Sequence, residues 1–201
     1  QLIVAMINST HYPYEYPPEF DTHRPSGTDV TYRNWMHLDR TRLENRYRNA
    51  LLFMEDEIMG LIEEPSLASA LSNTLMIITG DHGESFGEDG VLSHGSRPSE
   101  VQLGVPLVAV GPGAPAGRRI ATPTSHLDVV PTLLHMLSGR FERLDHVAGR
   151  DLLAEDLDHA HQVLLNPRQL LSPYELLLIR DDLLFYERCG RRGLRQPPSG
   201  H

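Results

Sequence analysis

The chain has 201 residues, of which 40% are hydrophobic and 22% are charged, and its formal net charge is −9. This composition is ordinary for a globular protein with a hydrophobic core, and the excess of acidic side chains argues against nucleic-acid binding, which needs a basic face. The single cysteine, Cys189, excludes an internal disulfide and any multi-cysteine zinc site.

The first third of the chain predicts a strand, a long loop and a long helix. Residues 2–7 form an apolar run that predicts a buried strand, and because the chain begins inside this run without a methionine, we expect it to be a piece of a longer protein. Proline and tyrosine are frequent over residues 11–18, which indicates a loop. Apolar residues recur at helical spacing over residues 39–63 and predict a helix there. Pro65 predicts the end of this helix, and a short helix is predicted to follow over residues 66–72.

The middle of the chain predicts two strands on either side of a polar loop. The run Thr74–Thr79 is rich in β-branched residues and predicts a buried parallel strand. Residues 80–104 are polar and rich in glycine, have no clear period, and are typical of an active-site loop. Residues 105–110 predict the next strand.

A helix and three short strands are predicted toward the carboxyl terminus. The helix covers residues 127–138, with a capping box at Ser125–Asp128 and Gly139 as its C-cap. The strands are predicted over residues 162–165, 175–180 and 183–187, with a tight turn at Asp181–Asp182. Residues 191–201 are expected to be a disordered tail. This order of elements predicts an α/β fold with a mostly parallel sheet and a late antiparallel hairpin, as a single domain over residues 1–190.

The pair Asp81-His82 directly follows the predicted strand that ends at Thr79. It is therefore expected at the carboxyl end of that strand, where open α/β sheets bind ligands. One carboxylate oxygen and one imidazole nitrogen form half of a divalent-metal site. Zinc or manganese suits this oxygen–nitrogen pair better than calcium, which prefers mostly oxygen ligands. The alternative interpretation is an ion-paired aspartate at a strand end beside a surface histidine.

Two further histidines complete the candidate site. His11 and His94 are interpreted as groups that hydrogen-bond an anionic substrate, and His94 also as a proton donor to the leaving group. The alternative for His11 is a loop histidine packed among tyrosines and prolines. Glu84 and Glu88 are interpreted equally as partners that orient an imidazole or as solvated loop acids. His126 is predicted to be a surface histidine at a helix start, and the alternative is that it reaches the candidate site.

The chain resembles the sulfatase-like branch of the alkaline phosphatase superfamily over roughly residues 1–150. The blocks that carry this resemblance occur in the family's order: Thr10-His11-Tyr12-Pro13-Tyr14, Arg46-Tyr47-Arg48-Asn49-Ala50, Ile78-Thr79-Gly80-Asp81-His82-Gly83-Glu84, His94-Gly95-Ser96, Val105-Pro106-Leu107 and the helix over 127–134. Many arylsulfatases carry lysine where this chain has His94. With a histidine at this position, the chain is more similar to the membrane-anchored group of the superfamily. That group includes lipoteichoic acid synthases, phosphoethanolamine transferases and inner-membrane sulfatase-like proteins.

The resemblance implies an alkaline-phosphatase-like α/β/α fold and a metal-dependent hydrolase of sulfate or phosphate esters. It implies that Asp81 and His82 are metal ligands, and that His11 and His94 are catalytic and substrate-binding residues. The family's nucleophile and an early acidic ligand precede the region that this chain matches. We therefore expect the nucleophile half of the site to be missing and this chain alone to be inactive.

The resemblance also implies partners and a location. The substrate is expected to be an anionic ester, on a lipid or a glycan, and no nucleic-acid partner is expected. The protein is expected to be periplasmic or otherwise extracytoplasmic, held at a membrane by segments outside this chain. Three alternatives stay open: a noncatalytic module that senses a lipid or a protein, a transferase of the phosphoethanolamine or phosphoglycerol type, and a phosphoesterase of small soluble substrates.

Overall fold

The computed structural model describes residues 1–27, 30–31, 33–34, 37, 39–96, 98–139, 147–154, 157, 162–166, 175–180 and 183–188. The chain forms two compact units, of which the first combines residues 1–72 with 85–92 and the second combines residues 73–84 with 93–201. The expectation of a single domain over residues 1–190 stays a prediction. The predicted turn at Asp181–Asp182 and the predicted tail over residues 191–201 lie outside the described residues.

The described chain begins with two helices, continues with strands and helices mixed, and ends with three consecutive strands. The helices are α1 (Arg40–Glu63), α2 (Ala68–Leu71), α3 (Glu100–Leu103) and α4 (Val129–Ser138). The strands are β1 (Met76–Thr79), β2 (Ser85–Phe86), β3 (Leu92–Ser93), β4 (Leu107–Val110), β5 (Gln162–Asn166), β6 (Glu175–Arg180) and β7 (Leu183–Arg188). Single turns of 3-10 helix cover Pro18–Phe20, Pro65–Leu67 and His126–Asp128.

Helix α1 is the main element of the first unit, and it confirms the helix predicted over residues 39–63. Its N-cap is Asp39, whose Oδ1 accepts a hydrogen bond from the backbone N–H of Arg42 at 3.0 Å and so satisfies one of the unpaired amides of the first turn. The helix ends at Glu63, and Pro65 opens the 3-10 turn that follows. Proline at that point removes a backbone donor and prevents the helix from continuing.

Aromatic rings from the loop before α1 form the core of the first unit. Tyr14 is 2% exposed, and its ring makes edge contacts with Tyr12 and Tyr47 at centroid distances of 5.6 and 5.5 Å. Phe86 lies 5.9 Å from Tyr14. Leu43 packs into the same cluster from α1. The tyrosine-rich loop is therefore packed inward, and edge-on ring contacts of this kind stabilise beyond the apolar area they bury.

A buried amide on α1 holds the loop over residues 16–26. Asn49 is fully buried; its Oδ1 accepts from the backbone N–H of His23 at 2.8 Å and from Thr22 Oγ1 at 3.3 Å. Its Nδ2 lies within hydrogen-bond distance of His23 O, Tyr16 Oη and Asp21 Oδ1, at 3.0, 3.1 and 3.2 Å. Both ends of the amide are used, which is what a buried polar group requires.

The strand predicted at residues 2–7 is wrong in this structure. These residues form no strand, and Leu2, Ile3, Val4 and Met6 are 77–83% exposed. A strand needs a neighbouring strand to satisfy its backbone amides and an opposing layer to cover its side chains. The apolar pattern of these residues is present, but the described part of the chain supplies no partner strand to them.

In the second unit, β1 pairs with β4 in antiparallel register, with Met76 opposite Val110 and Thr79 opposite Leu107. Both strands end where predicted and begin two residues later than predicted, and the parallel direction expected for β1 is wrong for this pairing. The expectation rested on a continuous apolar run, which is typical of strands covered on both faces. The side chains of β4 are instead partly exposed, at 36% for Leu107 and 48% for Val108.

Helix α4 has the predicted caps at both ends. Ser125 and Asp128 form the capping box, and Gly139 adopts φ of 72° as the C-cap, a left-handed conformation that glycine adopts without a steric cost. Asp128 is 2% exposed, and its carboxylate accepts from the backbone N–H groups of Ser125 at 2.9 Å and Arg150 at 2.7 Å. One buried carboxylate therefore connects the start of α4 to the segment at residue 150.

The three carboxyl-terminal strands were predicted to within one residue at their ends. Strand β5 pairs with β6 and β6 pairs with β7, both antiparallel, with Arg180 opposite Leu183. The late antiparallel hairpin of the predicted fold is therefore confirmed.

Candidate functional site

The candidate metal ligands lie directly after the carboxyl end of strand β1. The strand ends at Thr79, and Gly80, Asp81 and His82 follow directly. The side chain of Asp81 is 86% exposed and that of His82 is 37% exposed, so both donors are reachable from solvent. The predicted placement of this pair directly after the strand is what the structure shows.

The Asp81-His82 pair has a defined internal geometry. Asp81 Oδ1 accepts from the backbone N–H of His82 at 3.0 Å, and Asp81 Oδ2 lies 3.6 Å from His82 Nε2. His82 Nδ1 lies 3.0 Å from the carbonyl oxygen of Gly83. Because a carbonyl oxygen only accepts, Nδ1 carries the hydrogen in this contact, and the lone pair of a neutral ring is on Nε2.

Gly83 fixes the course of the chain immediately after the pair. Its backbone N–H donates to the carbonyl oxygen of Gln102 at 2.8 Å. A Cβ atom added at residue 83 would lie 2.0 Å from the carbonyl oxygen of Val101, a distance that no side chain tolerates. The absence of a side chain at this position therefore allows the Asp81-His82 segment to run directly along α3.

His94 and Glu84 form a hydrogen-bonded pair next to His82. His94 Nδ1 lies 3.0 Å from Glu84 Oε2, with side-chain exposures of 26% and 6%. The rings of His82 and His94 stack with centroids 3.9 Å apart and planes inclined by 29°. The structure therefore brings together three of the four predicted site residues: Asp81, His82 and His94. Of the two loop acids, Glu84 is the one that contacts an imidazole, whereas Glu88 bonds Arg40 and the backbone N–H of Phe86, at 3.0 and 2.7 Å.

His126 also contacts the end of β1, which was the less favoured of the two interpretations of this residue from the sequence. Its Nε2 lies 2.8 Å from the carbonyl oxygen of Gly80 and 3.4 Å from Thr79 Oγ1. The prediction of an ordinary surface histidine came from its place at a helix start. The contact joins residues 46 positions apart, and no local pattern in the sequence signals it.

His11 belongs to the first unit and lines a cavity there of about 820 Å³. Its Nδ1 lies 2.9 Å from the carbonyl oxygen of Tyr12. Arg46 lines the same cavity and donates to the carbonyl oxygens of Pro13 and Gly27, at 2.7 and 2.8 Å. The role of His11 in one site with Asp81 stays a prediction.

Among the residues that the structure describes, no three histidine, cysteine, aspartate or glutamate side chains are grouped so as to hold a metal ion. Asp81 and His82 are thus a pair of donors and not a complete coordination set. None of the helices with described structure combines the length and the apolar character that a bilayer crossing needs.

The fold is that of the alkaline-phosphatase-like hydrolases. The structure matches the phosphonate monoester hydrolase SpPMH from Silicibacter pomeroyi with a TM-score of 0.62 at 21% identity, over 78% of this chain and 34% of that chain. At this level of identity the likeness concerns the fold, and it confirms the fold class that the sequence blocks imply.

The chain belongs to the sulfatase family, because the Sulfatase family model matches residues 1–139. The low-salt glycan biosynthesis sulfotransferase Agl7 of Haloferax volcanii is 30% identical over 129 residues, which cover 62% of this chain and 31% of that protein. The putative extracellular sulfatase Sulf-1 homolog of Caenorhabditis elegans is 33% identical over 107 residues, or 51% of this chain and 15% of that protein. The chain therefore spans at most about a third of the length of these relatives.

Proposed function

We propose that this chain carries part of the active site of a metal-dependent hydrolase of sulfate or phosphate esters, with Asp81 and His82 as metal ligands. The observation that supports this most directly is the pair itself: Asp81 Oδ2 and His82 Nε2 lie 3.6 Å apart at the end of β1. Two donors that each bind one ion at about 2.0–2.2 Å are separated by a distance of this order.

The donor chemistry of the pair fits a divalent ion. His82 directs Nδ1–H at the carbonyl oxygen of Gly83, which is the usual arrangement when the other ring nitrogen binds a metal. One oxygen and one nitrogen suit zinc or manganese better than calcium. A bound divalent ion supplies charge that stabilises the anionic ester group during its transfer.

Histidine side chains are proposed to hydrogen-bond the anionic ester. His94 stacks on His82, so that its ring lies beside the proposed metal ligand, and we assign to it the role of binding the ester and donating a proton to the departing oxygen. His11 is proposed as a second substrate contact. Support for that role comes from its position on the wall of a cavity in the first unit.

The remaining parts of the site are proposed to lie outside these 201 residues. The relatives are about three times longer than the region this chain matches in them, as the 31% and 34% coverages indicate. We propose that a nucleophile that forms a covalent intermediate, and further metal ligands, come from such a region. An extracytoplasmic location and a glycan-borne ester are proposed as well, in line with the names of the two relatives.

Transfer of the sulfate group to an acceptor is the second candidate function. It is favoured by one observation, that the relative from Haloferax volcanii is named a sulfotransferase. The proposed metal pair serves both reactions, because both pass the same anionic group to an oxygen. Products formed by the complete protein from an aryl sulfate, with and without a sugar acceptor, distinguish hydrolysis from transfer.

The experiment that tests the metal assignment is a titration of this chain with Zn²⁺ and Mn²⁺. Calorimetry measures Zn²⁺ affinity, and paramagnetic line broadening by Mn²⁺ at millimolar concentration detects weak binding at individual residues. We expect broadening centred on Asp81 and His82, which Asp81→Asn combined with His82→Ala abolishes.

The matched control changes a histidine–aspartate pair elsewhere in the same unit. His135 Nδ1 lies 2.6 Å from Asp151 Oδ2, and Asp151→Asn combined with His135→Ala is expected to leave metal binding intact. Equal affinity in the Asp81/His82 variant and the native chain, or no broadening at Asp81 and His82 in the native chain, overturns the proposal. A noncatalytic sensing module is the interpretation that such a result favours.

A further inference from the structure

We propose that Glu84 is a positioning residue: it holds the His94 ring with Nδ1–H directed at the Glu84 carboxylate and thereby assigns contact with the anionic ester to Nε2. This inference rests on the proposed function for the role of Nε2, but the orientation of the ring is a property of the chain itself.

The burial of Glu84 is the first argument. Its side chain is only 6% exposed, and a buried carboxylate is costly unless charged or polar partners surround it. Oε2 contacts His94 Nδ1 at 3.0 Å. Oε1 is buried and has no hydrogen-bond partner within the described part of the chain. A half-satisfied buried carboxylate calls for an explanation other than stability.

Asp151 shows what a structural carboxylate looks like in the same unit. It also binds a histidine, with His135 Nδ1 at 2.6 Å from Oδ2. Its other oxygen, Oδ1, accepts from the backbone N–H of Leu153 at 3.0 Å. Both oxygens of Asp151 thus have partners: Oδ2 connects to α4, and Oδ1 accepts from a backbone N–H two residues further along. Within the described part of the chain, Glu84 Oε1 has no such second partner, and Oε2 contacts the histidine of the candidate site.

Two independent contacts fix the His94 ring. The hydrogen bond to Glu84 fixes the direction of the Nδ1 edge, and the stack on His82 at 3.9 Å fixes the plane of the ring. His82 is itself oriented by its contact with the carbonyl oxygen of Gly83 at 3.0 Å. A ring fixed in both plane and rotation is preorganised, which lowers the cost of bringing it to a reacting group.

The carboxylate also determines which nitrogen meets the substrate. An ionised carboxylate only accepts, so the ring nitrogen that faces Glu84 keeps its hydrogen. In the protonated ring, Nε2–H donates to an ester oxygen and passes its proton to the departing oxygen as the bond to sulfur or phosphorus breaks. Nδ1–H stays on the ring throughout, directed at the Glu84 carboxylate, which stabilises the positive ring as carboxylates beside catalytic histidines do.

Nitrogen-15 NMR of this chain tests the orientation directly. Long-range proton–nitrogen spectra, recorded about two pH units above the ordinary imidazole pKa of about 6.5, report which ring nitrogen carries the hydrogen. We expect His94 to carry it on Nδ1 alone. Glu84→Gln keeps the size of the side chain, but its amide both donates and accepts, so both tautomers of His94 become populated. Asp151→Asn is the matched control and is expected to change the spectrum of His135 and not that of His94.

The role in the reaction is read from steady-state kinetics of the longer protein that the proposed function requires. With an aryl sulfate or an aryl phosphonate ester, Glu84→Gln is expected to lower kcat by about 10- to 100-fold with little change in KM, whereas Asp151→Asn leaves kcat unchanged.

Hydrogen on Nε2 of His94 in the native chain, or an unchanged kcat in Glu84→Gln, overturns the positioning role. The NMR measurement needs neither metal nor ester. A negative NMR result therefore contradicts the positioning role of Glu84 alone. The proposed function is tested separately, by the metal titration that monitors Asp81 and His82.

Discussion

The imidazole rings of His82 and His94 lie face to face, with centroids 3.9 Å apart and planes inclined by 29°. The two residues are 12 positions apart in the chain, and each ring has a separate hydrogen-bond partner on its Nδ1 side: the carbonyl oxygen of Gly83 for His82 and the carboxylate of Glu84 for His94. The loop between them is therefore folded so that one stretch of chain places two imidazoles and the acid that orients one of them.

A double-mutant cycle measures the coupling between Glu84 and His94. His94→Phe keeps a ring for the stack on His82 but removes the partner of a carboxylate whose side chain is 6% exposed. We expect the free energy of unfolding to fall by about 1–3 kcal/mol, because a buried charged acceptor is left unpaired. Glu84→Leu added to His94→Phe is expected to recover most of this loss. Urea denaturation of the four proteins gives the coupling energy, and strictly additive effects contradict the prediction.

Gly83→Ala is expected to destabilise the chain by about 2 kcal/mol or more, because the new Cβ would lie 2.0 Å from the carbonyl oxygen of Val101 and the backbone must move. Gly60→Ala is the matched control, since nothing lies within 4 Å of a Cβ built there on α1. That variant is expected to stabilise by about 0.5–1 kcal/mol through the higher helix propensity of alanine. The midpoints of urea denaturation measure the stability of both variants. The prediction is contradicted if the midpoints of the two variants shift in the same direction relative to the native chain.

Asp128→Ala is expected to lower the free energy of unfolding by about 1–3 kcal/mol. The residue is 2% exposed and accepts backbone hydrogen bonds from Ser125 and Arg150, so its removal leaves buried donors unpaired. Asp39→Ala removes the corresponding cap of α1, where the side chain is 59% exposed, and is expected to cost about 1 kcal/mol or less. Thermal denaturation of the two variants ranks their stabilities. A larger loss of stability for Asp39→Ala than for Asp128→Ala contradicts the prediction.

The stability of the first unit depends on the ionisation of Asp21. A hydrogen bond from the Ser26 hydroxyl is the largest influence on the pKa of Asp21 and, with the Tyr16 hydroxyl and Arg24, outweighs desolvation and lowers this pKa below its ordinary value of 3.8. A carboxyl group whose pKa is lowered by folding stabilises the folded state above its unfolded pKa. That stabilisation is lost as the pH falls through the lower, folded value.

Ser26→Ala is therefore expected to raise the pKa of Asp21 toward 3.8 and to destabilise the chain at pH 7, with a smaller difference from the native chain in acid. Carbon-13 NMR of the Asp21 carboxyl group measures its pKa. Urea denaturation at pH 7 and in acid measures the free energy of unfolding of the variant and of the native chain. Ser138→Ala, which removes a hydroxyl bonded to the carbonyl oxygen of Leu134 at 2.7 Å, is the control and is expected to show no such pH dependence.

The contact between His126 and the carbonyl oxygen of Gly80 can be tested through its effect on metal binding. His126→Ala removes a hydrogen bond of 2.8 Å at the end of β1. Because Gly80 immediately precedes Asp81, we expect the Mn²⁺ affinity of the chain to weaken by less than tenfold, a smaller loss than that of His82→Ala. An effect of His126→Ala as large as that of His82→Ala would show that His126 is itself a ligand.

Features that depend on neighbouring residues could be predicted from the sequence. The caps of α4 use side chains and backbone groups within a few positions of each other, so Ser125, Asp128 and Gly139 were identified correctly. The same holds for the stop of α1 before Pro65 and for the place of Asp81-His82 after β1. In each of these features the physical cause lies in the same short stretch of chain.

Features that depend on partners far away in the chain could not be predicted from the sequence. The direction of β1 is set by its pairing of Met76 with Val110, and an apolar run has the same composition in either direction. Residues 2–7 have the pattern of a buried strand and yet are exposed, because a pattern does not supply the partner that buries it. The contact of Glu84 with His94 decides between an orienting acid and a solvated one, and either role fits the same loop sequence.

The buried amide of Asn49 makes the first unit intolerant of an acid at this position. Its Oδ1 accepts from His23 N–H, and its Nδ2 lies 3.2 Å from the carboxylate of Asp21. An aspartate at this position would replace that Nδ2 donor by an oxygen and set a fully buried carboxylate against that of Asp21, whose side chain is 20% exposed. Asn49→Asp, which hardly changes the size of the side chain, would therefore weaken the attachment of the loop over residues 16–26 to α1.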